Sequence, residues 1–157
     1  MKFVSIIVES KRDAKGMEEA VNTLEKFGVK YELLISSAHR SVERTQHYVK
    51  AAEAKGAQVF IAAAGTAVHL AGAVASLTTR PVVGVSTDTS PVAMNILGTM
   101  PVAMVAAGKA GAVNSAFLAM QILALSDAEL DVKLKEDRIL KAKKVETDSQ
   151  EIEVRLA

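Results

Sequence analysis

Cysteine and tryptophan are absent from the 157 residues. Without a thiol the chain cannot form disulfides, run thiol catalysis or build a thiolate metal site, and the composition fits a reducing compartment, the cytoplasm. Aromatic residues make up only 4%, and 19 Lys and Arg against 18 Asp and Glu leave a formal charge of +1. That balance lacks the basic, aromatic-bearing signature of a nucleic-acid binder. No Gly-x-Gly-x-x-Gly fingerprint, P-loop or nucleophile elbow occurs. The three histidines, His39, His47 and His69, have no paired-ligand spacing, so no metal site is expected. The apolar run that ends at Val8 is too short for a signal peptide and gives way to Glu9, Lys11, Arg12 and Asp13.

Charge is also missing from the middle of the chain. Residues 56–126 hold three charged side chains, Arg80, Asp88 and Lys109, and 17 alanines. The stretch 56–79 has no charge at all, which raises a membrane span. Gln58, Gly65, Thr66, His69, Gly72, Ser76 and Thr78 interrupt it, and it divides into a β-type run, a Gly turn and a helical run. No membrane association is expected. Buried parallel strands read as continuous apolar runs because helices cover both faces. Ala-rich helices with so little surface charge need cover that a monomer of this size does not supply, which predicts a sizeable homo-oligomer.

What is present is enough for one domain with a real core: half of the residues are hydrophobic, and the length suits a single unit. The pattern alternates strand and helix. Strands are expected at 2–8, 31–35, 59–63, 81–85 and 101–106. Helices are expected from an Asp13 N-cap to Phe27, from Ser41 to about Lys55, over 67–76 and over 110–125. Gly28 and Gly56 stop the first two helices. The chain beyond Ser126 turns charged and helical again, with Leu130, Leu134 and Ile139 as sparse apolar positions, and its last dozen or so residues carry mixed charge suited to fraying or packing on a neighbour. The reading is an α/β fold, three-layer αβα with a flavodoxin-like parallel sheet. It forms a single domain, 1–157, whose residues 127–157 are a charged C-terminal helical extension.

In such folds ligands sit at the carboxyl ends of the strands. Four polar clusters fall there: Glu9-Ser10-Lys11-Arg12-Asp13, Ser36-Ser37-Ala38-His39-Arg40, Ala64-Gly65-Thr66-Ala67-Val68-His69 and Ser86-Thr87-Asp88-Thr89-Ser90. Hydroxyls, basic side chains and helix N-termini together suit a phosphate, and an imidazole there suits proton transfer near neutral pH. Taken singly, Ser10 and Asp13 also suit a helix cap, 37–40 an ordinary polar loop, and His69 a satisfied core histidine. Their coincidence on one sheet edge favours a site. His47, mid-helix beside Gln46 and Tyr48, reads as structural.

These residues resemble the N5-carboxyaminoimidazole ribonucleotide mutase family, PurE, of purine biosynthesis, over residues 2 to about 140. The family's Ser-Ala-His-Arg is matched in full by Ser37-Ala38-His39-Arg40. Its Gly-Ser-x-Ser-Asp is matched at Ser10 and Asp13, with Glu9 and Arg12 in place of Gly and Ser. Its Ala-Ala-His-Leu-Pro-Gly is met by Ala67-Val68-His69-Leu70-Ala71-Gly72, and Gly108-Lys109-Ala110-Gly111-Ala112-Val113-Asn114 resembles a later segment of some members. The family's Gln-Met-Pro-x-Gly-x-Pro region is shortened, with 95–101 standing in, and Val42 replaces the usual Pro.

The resemblance implies a homo-octamer with sites between subunits, an aminoimidazole ribonucleotide substrate, and carbon dioxide passed from the exocyclic nitrogen to ring carbon C4. It implies His39 as the catalytic proton carrier. Ser10, Asp13, Ser37, Arg40, Gly65 and His69 are implied as substrate-binding residues, with Arg12 a possible additional anion contact. No metal or organic cofactor is implied. Arg40 and the pair His69-Leu70 place the chain nearer the mutase branch than the branch that carboxylates directly. The alternatives are a paralogue that carboxylates or decarboxylates a related ribonucleotide, and a non-catalytic nucleotide-binding relative.

Overall fold

The computed structural model describes residues 1–65, 68–88 and 98–156. Expectations that fall on Thr66 and Ala67, on Thr89 and Ser90, and on the stand-in residues 95–97 lie outside them. The chain divides into two compact units, Met1–Leu123 and Ala124–Ala157.

The first unit is built on five parallel strands: β1 (Phe3–Val8), β2 (Tyr31–Ile35), β3 (Ala57–Ala64), β4 (Val82–Ser86) and β5 (Ala103–Ala107). Their order is β2-β1-β3-β4-β5, the flavodoxin-like arrangement expected from the alternating pattern. Interior β1 is buried at every position, because helices cover both sides of the sheet. On one face Phe3, Ile7, Phe60, Ala62 and Val82 pack with Val49 and Ala52 of α3 (Val42–Lys55) and with Leu70, Ala71 and Val74 of α4 (Val68–Ala75). The other helices of the unit are α1 (Lys11–Gly16), α2 (Glu18–Phe27) and α5 (Gly108–Ala124). Phe27 of α2 meets Phe117 of α5 edge to face at 5.6 Å.

The expected element types hold throughout the described residues, with shifts at the ends. The first helix is two helices meeting at Met17, and its N-cap is Ser10, not Asp13. Ser10 is extended (φ −148°, ψ 170°) and its hydroxyl accepts from the Asp13 backbone N–H, so Asp13 lies inside the first turn. Ser wins because its short hydroxyl reaches the third helical N–H, and Asp13, the one acid in a first turn that also holds Lys11 and Arg12, then sits where a helix dipole favours negative charge. β1 starts at Phe3 rather than Lys2, and β3 starts two residues earlier than expected, where Ala57 pairs with Phe3. β5 begins at Ala103, and α5 opens at Gly108 rather than Ala110. Ala106 takes a left-handed φ of 90° where the β4–β5 register shifts. Its carbonyl oxygen stands 2.5 Å from where a Cβ at Gly111 would lie, so only glycine fits that corner.

Behind the sheet edge a polar chain links three elements. Ser5 Oγ donates to Tyr48 Oη (3.2 Å), Tyr48 donates to Glu32 Oε2 (3.2 Å), and Lys55 Nζ grips both Glu32 oxygens at 2.7 and 2.9 Å. Burial, reinforced by the Glu32 carboxylate and opposed by the Ser5 contact, raises the Tyr48 pKa. A raised phenol pKa means that the folded chain keeps a proton the unfolded chain loses. This contribution to stability is present below the unfolded value near 10 and is lost as pH rises through the folded one. Tyr48→Phe strands the fully buried Ser5 hydroxyl. It should cost about 1 kcal/mol in urea unfolding at pH 7 and flatten the alkaline fall in stability.

The second unit is dominated by α6 (Ala128–Leu156), one 29-residue helix running through the charged tail expected to fray or pack on a neighbour. Ion pairs at i,i+4 spacing, Lys135–Asp131 and Lys144–Asp148, line it, and Val132, Ile139, Leu140 and Val145 are exposed. Among the described residues no helix is long and apolar enough to cross a membrane.

Candidate active site

The loops after β1, β2, β3 and β4 leave the sheet at one edge, and backbone bonds hold them close to the strand ends. Glu9 N–H donates to Ala63 O, Ser36 N–H to Val8 O and Thr87 N–H to Ala64 O. Parallel strands make this convergence automatic, since every carboxyl end points the same way.

In the first loop Ser10 Oγ donates to Asp13 Oδ2 at 2.5 Å. Asp13 is only 3% exposed, and its second oxygen accepts from Thr87 Oγ1 at 2.6 Å. A buried carboxylate is costly unless its lone pairs are engaged, and here both oxygens are. Asp13 thus clasps the first loop to the fourth. In the second loop Ser37 Oγ donates to Glu9 Oε1 (3.2 Å) and accepts from the Arg40 backbone N–H (3.2 Å). Glu9 therefore ties the first loop to the second.

His39 and Arg40 are exposed on the turn that follows β2. The His39 ring lies 5.5 Å from that of His69, edge to face at 67°. His69 is exposed near the start of α4, so one imidazole from the turn after β2 and one from the first turn of α4 share one spot on the sheet edge. His47 is exposed in the middle of α3.

Gly65 adjoins the first and fourth loops. Its carbonyl accepts from Ser86 Oγ at 2.6 Å and from the Asp88 N–H at 3.2 Å. Arg12 Nη2 reaches Asp88 Oδ1 and Oδ2, each at 3.3 Å. A Cβ at position 65 would stand 2.6 Å from that Nη2 and 3.0 Å from Asp88 Oδ2. A side chain at this position would push the Arg12–Asp88 pair aside, because the ion pair lies over the Gly65 backbone. Among the described residues no group of three or more His, Asp or Glu is placed to hold a metal ion.

The residues singled out in the sequence fall into three linked sets: Ser10 with Asp13, Ser37 with Arg40, and His39 with His69. Gly65 and Arg12 form a fourth through Asp88. Three participants were not assigned as site residues in advance: Thr87, Asp88 and, as a bridge between loops, Glu9. Thr87 and Asp88 were visible only as part of the polar cluster after β4.

The sequence profile of the AIR carboxylase family matches residues 3–144, most of the chain. The chain belongs to this family. Its similarity to individual members is of the same breadth. It is 41% identical to the N5-carboxyaminoimidazole ribonucleotide mutase of Pyrococcus horikoshii, with 96% of this chain and 89% of that protein aligned. The mutase of Saccharolobus solfataricus is 43% identical over 86% of this chain and 89% of its own. The crystal structure of Treponema denticola PurE superposes with a TM-score of 0.84 at 23% identity, covering 96% of this chain and 98% of that one. The AIR carboxylase fold is thus shared almost from end to end.

Proposed function

We propose that this AIR carboxylase family chain is an N5-carboxyaminoimidazole ribonucleotide mutase, moving a carboxylate from the exocyclic nitrogen to C4 of an aminoimidazole ribonucleotide. The observation that carries the reading is His39 at the carboxyl edge of the sheet, ring to ring with His69, in a chain 41–43% identical to proteins of that name. Neighbouring Arg40 supplies a guanidinium donor suited to a phosphate, and the Ser37 and Ser10 hydroxyls, which here donate to Glu9 and Asp13, turn to the phosphate when it binds.

The reaction balances on one proton carrier. The nitrogen–carboxylate bond breaks, carbon dioxide departs and the nitrogen takes a proton from the His39 imidazolium. C4 then bonds the carbon dioxide carbon, and the C4 proton passes back to His39. The residue ends as it began, which is what an isomerisation without a cofactor requires. Free carbon dioxide escapes or hydrates in bulk water, so the pocket has to close around it.

Buried Asp13 acts in this reading by setting the first loop against the fourth, and it faces the ribose while Ser10, Ser37 and Arg40 hold the phosphate. Gly65 and His69 complete the wall. The whole chain works as one functional domain, with 127–157 its charged helical extension, and the family match reaching residue 144 supports that. The enzyme acts in the cytoplasm.

The test is an assay of the purified chain with the N-carboxylated, C4-carboxylated and uncarboxylated ribonucleotides. Interconversion of the two carboxylates without added bicarbonate is the expected result. Product only from the uncarboxylated ribonucleotide plus bicarbonate would make it a carboxylase, release without re-addition a decarboxylase, and affinity without conversion a binding protein.

The active form is a homo-octamer. Leu33 and Ile35 on edge strand β2, Val42 and Met100 remain 38–61% exposed in the single chain, and apolar side chains of that size call for cover. Light scattering at micromolar concentration should give about eight times the 16.6 kDa chain mass. A stable monomer would refute this.

A further inference from the structure

We propose that Asp88 competes with the ribonucleotide phosphate for Arg12, so that a carboxylate built into the fourth loop sets how tightly phosphorylated ligands are held. This rests on the mutase reading for the identity of the ligand, and it concerns a residue to which that reading gives no role.

The geometry is that of an occupied but weak anion contact. Arg12 projects from the first turn of α1 and its side chain is 71% exposed; that of Asp88 is 37% exposed. A guanidinium binds carboxylate or phosphate best through two parallel N–H groups at about 2.7–2.9 Å. Here a single nitrogen, Nη2, spans both Asp88 oxygens at 3.3 Å. That is a long, forked contact, and exposed ion pairs of this kind are weak. Among the described residues Asp88 is the only charged partner of Arg12.

The pair is nevertheless held in place by its surroundings. Asp88 is anchored through its backbone, its N–H bonding to Gly65 O and its own carbonyl accepting from Ser86 Oγ at 2.8 Å. The absent Cβ of Gly65 leaves the space in which the guanidinium and carboxylate meet. The fold therefore delivers Arg12 to the edge where Ser10 and Ser37 present hydroxyls, and sets beside it an anion that a phosphate can replace. A dianionic phosphate offers more charge and a better fork than one carboxylate, so exchange favours the ligand.

The experiment measures affinity for ribose 5-phosphate by calorimetry, with ribose as the uncharged control, on the full chain and three variants. Arg12→Gln should weaken ribose 5-phosphate binding at least about five-fold. Asp88→Asn should tighten it by about two- to five-fold, the range an exposed ion pair supports. In the double variant the Asp88→Asn gain should vanish, because there is no Arg12 to release. Ribose binding should not change in any of them. A weaker or unchanged affinity in Asp88→Asn overturns the competition, as does an Arg12→Gln variant that binds like the parent, or a parent and variants that all fail to bind ribose 5-phosphate. Carboxylate transfer is assayed separately. Turnover with no Asp88 effect leaves the mutase reading standing and sinks this inference; the expected affinity pattern without turnover does the reverse.

Discussion

His39→Asn is expected to lower carboxylate transfer by at least about 100-fold while leaving ribonucleotide binding within a few-fold of the parent. Asparagine keeps a polar group of similar reach but cannot exchange a proton near neutral pH. In the proposed site the phosphate is held by other groups: the Ser37 hydroxyl bonds Glu9 and the Arg40 backbone, and neither bond involves the imidazole. The fall should therefore appear in kcat and not in KM. His47→Asn, in the middle of α3, should change neither. Full turnover in His39→Asn would show that the proton moves by another route, even with the family assignment intact. The parent's behaviour also separates the classes of function, since a chain that only binds nucleotides has no turnover to lose.

Arg40→Ala should weaken ribonucleotide binding by about ten-fold or more. Removing a charge-assisted contact to phosphate costs roughly 1.5–3 kcal/mol, and each 1.4 kcal/mol is a factor of ten. The side chain is exposed, and its backbone N–H keeps the bond to Ser37 Oγ, so the turn should survive the substitution. Thermal denaturation should confirm an unchanged fold. Calorimetry should then find the loss for the ribonucleotide and none for the nucleoside that lacks the phosphate. Unchanged ribonucleotide affinity would remove Arg40 from the phosphate site.

Most of the fold was legible because its signals are strong and local. Val59–Ala63 is a continuous apolar run that only a doubly covered strand explains, and Gly28 and Gly56 end their helices in the left-handed conformation expected of them. Helix starts were less legible. Ser10 and Asp13 are both good capping residues, and the choice between them depends on which side chain reaches the third backbone N–H, a matter of geometry rather than residue type. The candidate site divides in the same way. The sheet edge on which Ser37, His39, Arg40 and Gly65 lie followed from strand direction alone. The bonds between loops did not, because Thr87 reaches Asp13, and Asp88 reaches Arg12, across more than 70 positions of sequence. No local pattern reports such a contact. Glu9 shows the same limit: in the sequence it is only a departure from the family's Gly, and its bond to Ser37, 28 positions away, appears only in the folded chain.

The Asp13–Thr87 clasp gives the chain an order of events. Ser10 and Asp13 emerge early and can form their turn at once, but Thr87 arrives 74 residues after Asp13, only when β4 has docked beside β3. Closing so long a loop is slow relative to forming a helix turn. A chain released before β4 would carry the complete first- and second-loop motifs and yet lack the bond that sets Asp13. Affinity for the ribonucleotide should therefore emerge late in refolding, after most helical structure has returned, and a ligand that engages the finished edge will slow its unfolding.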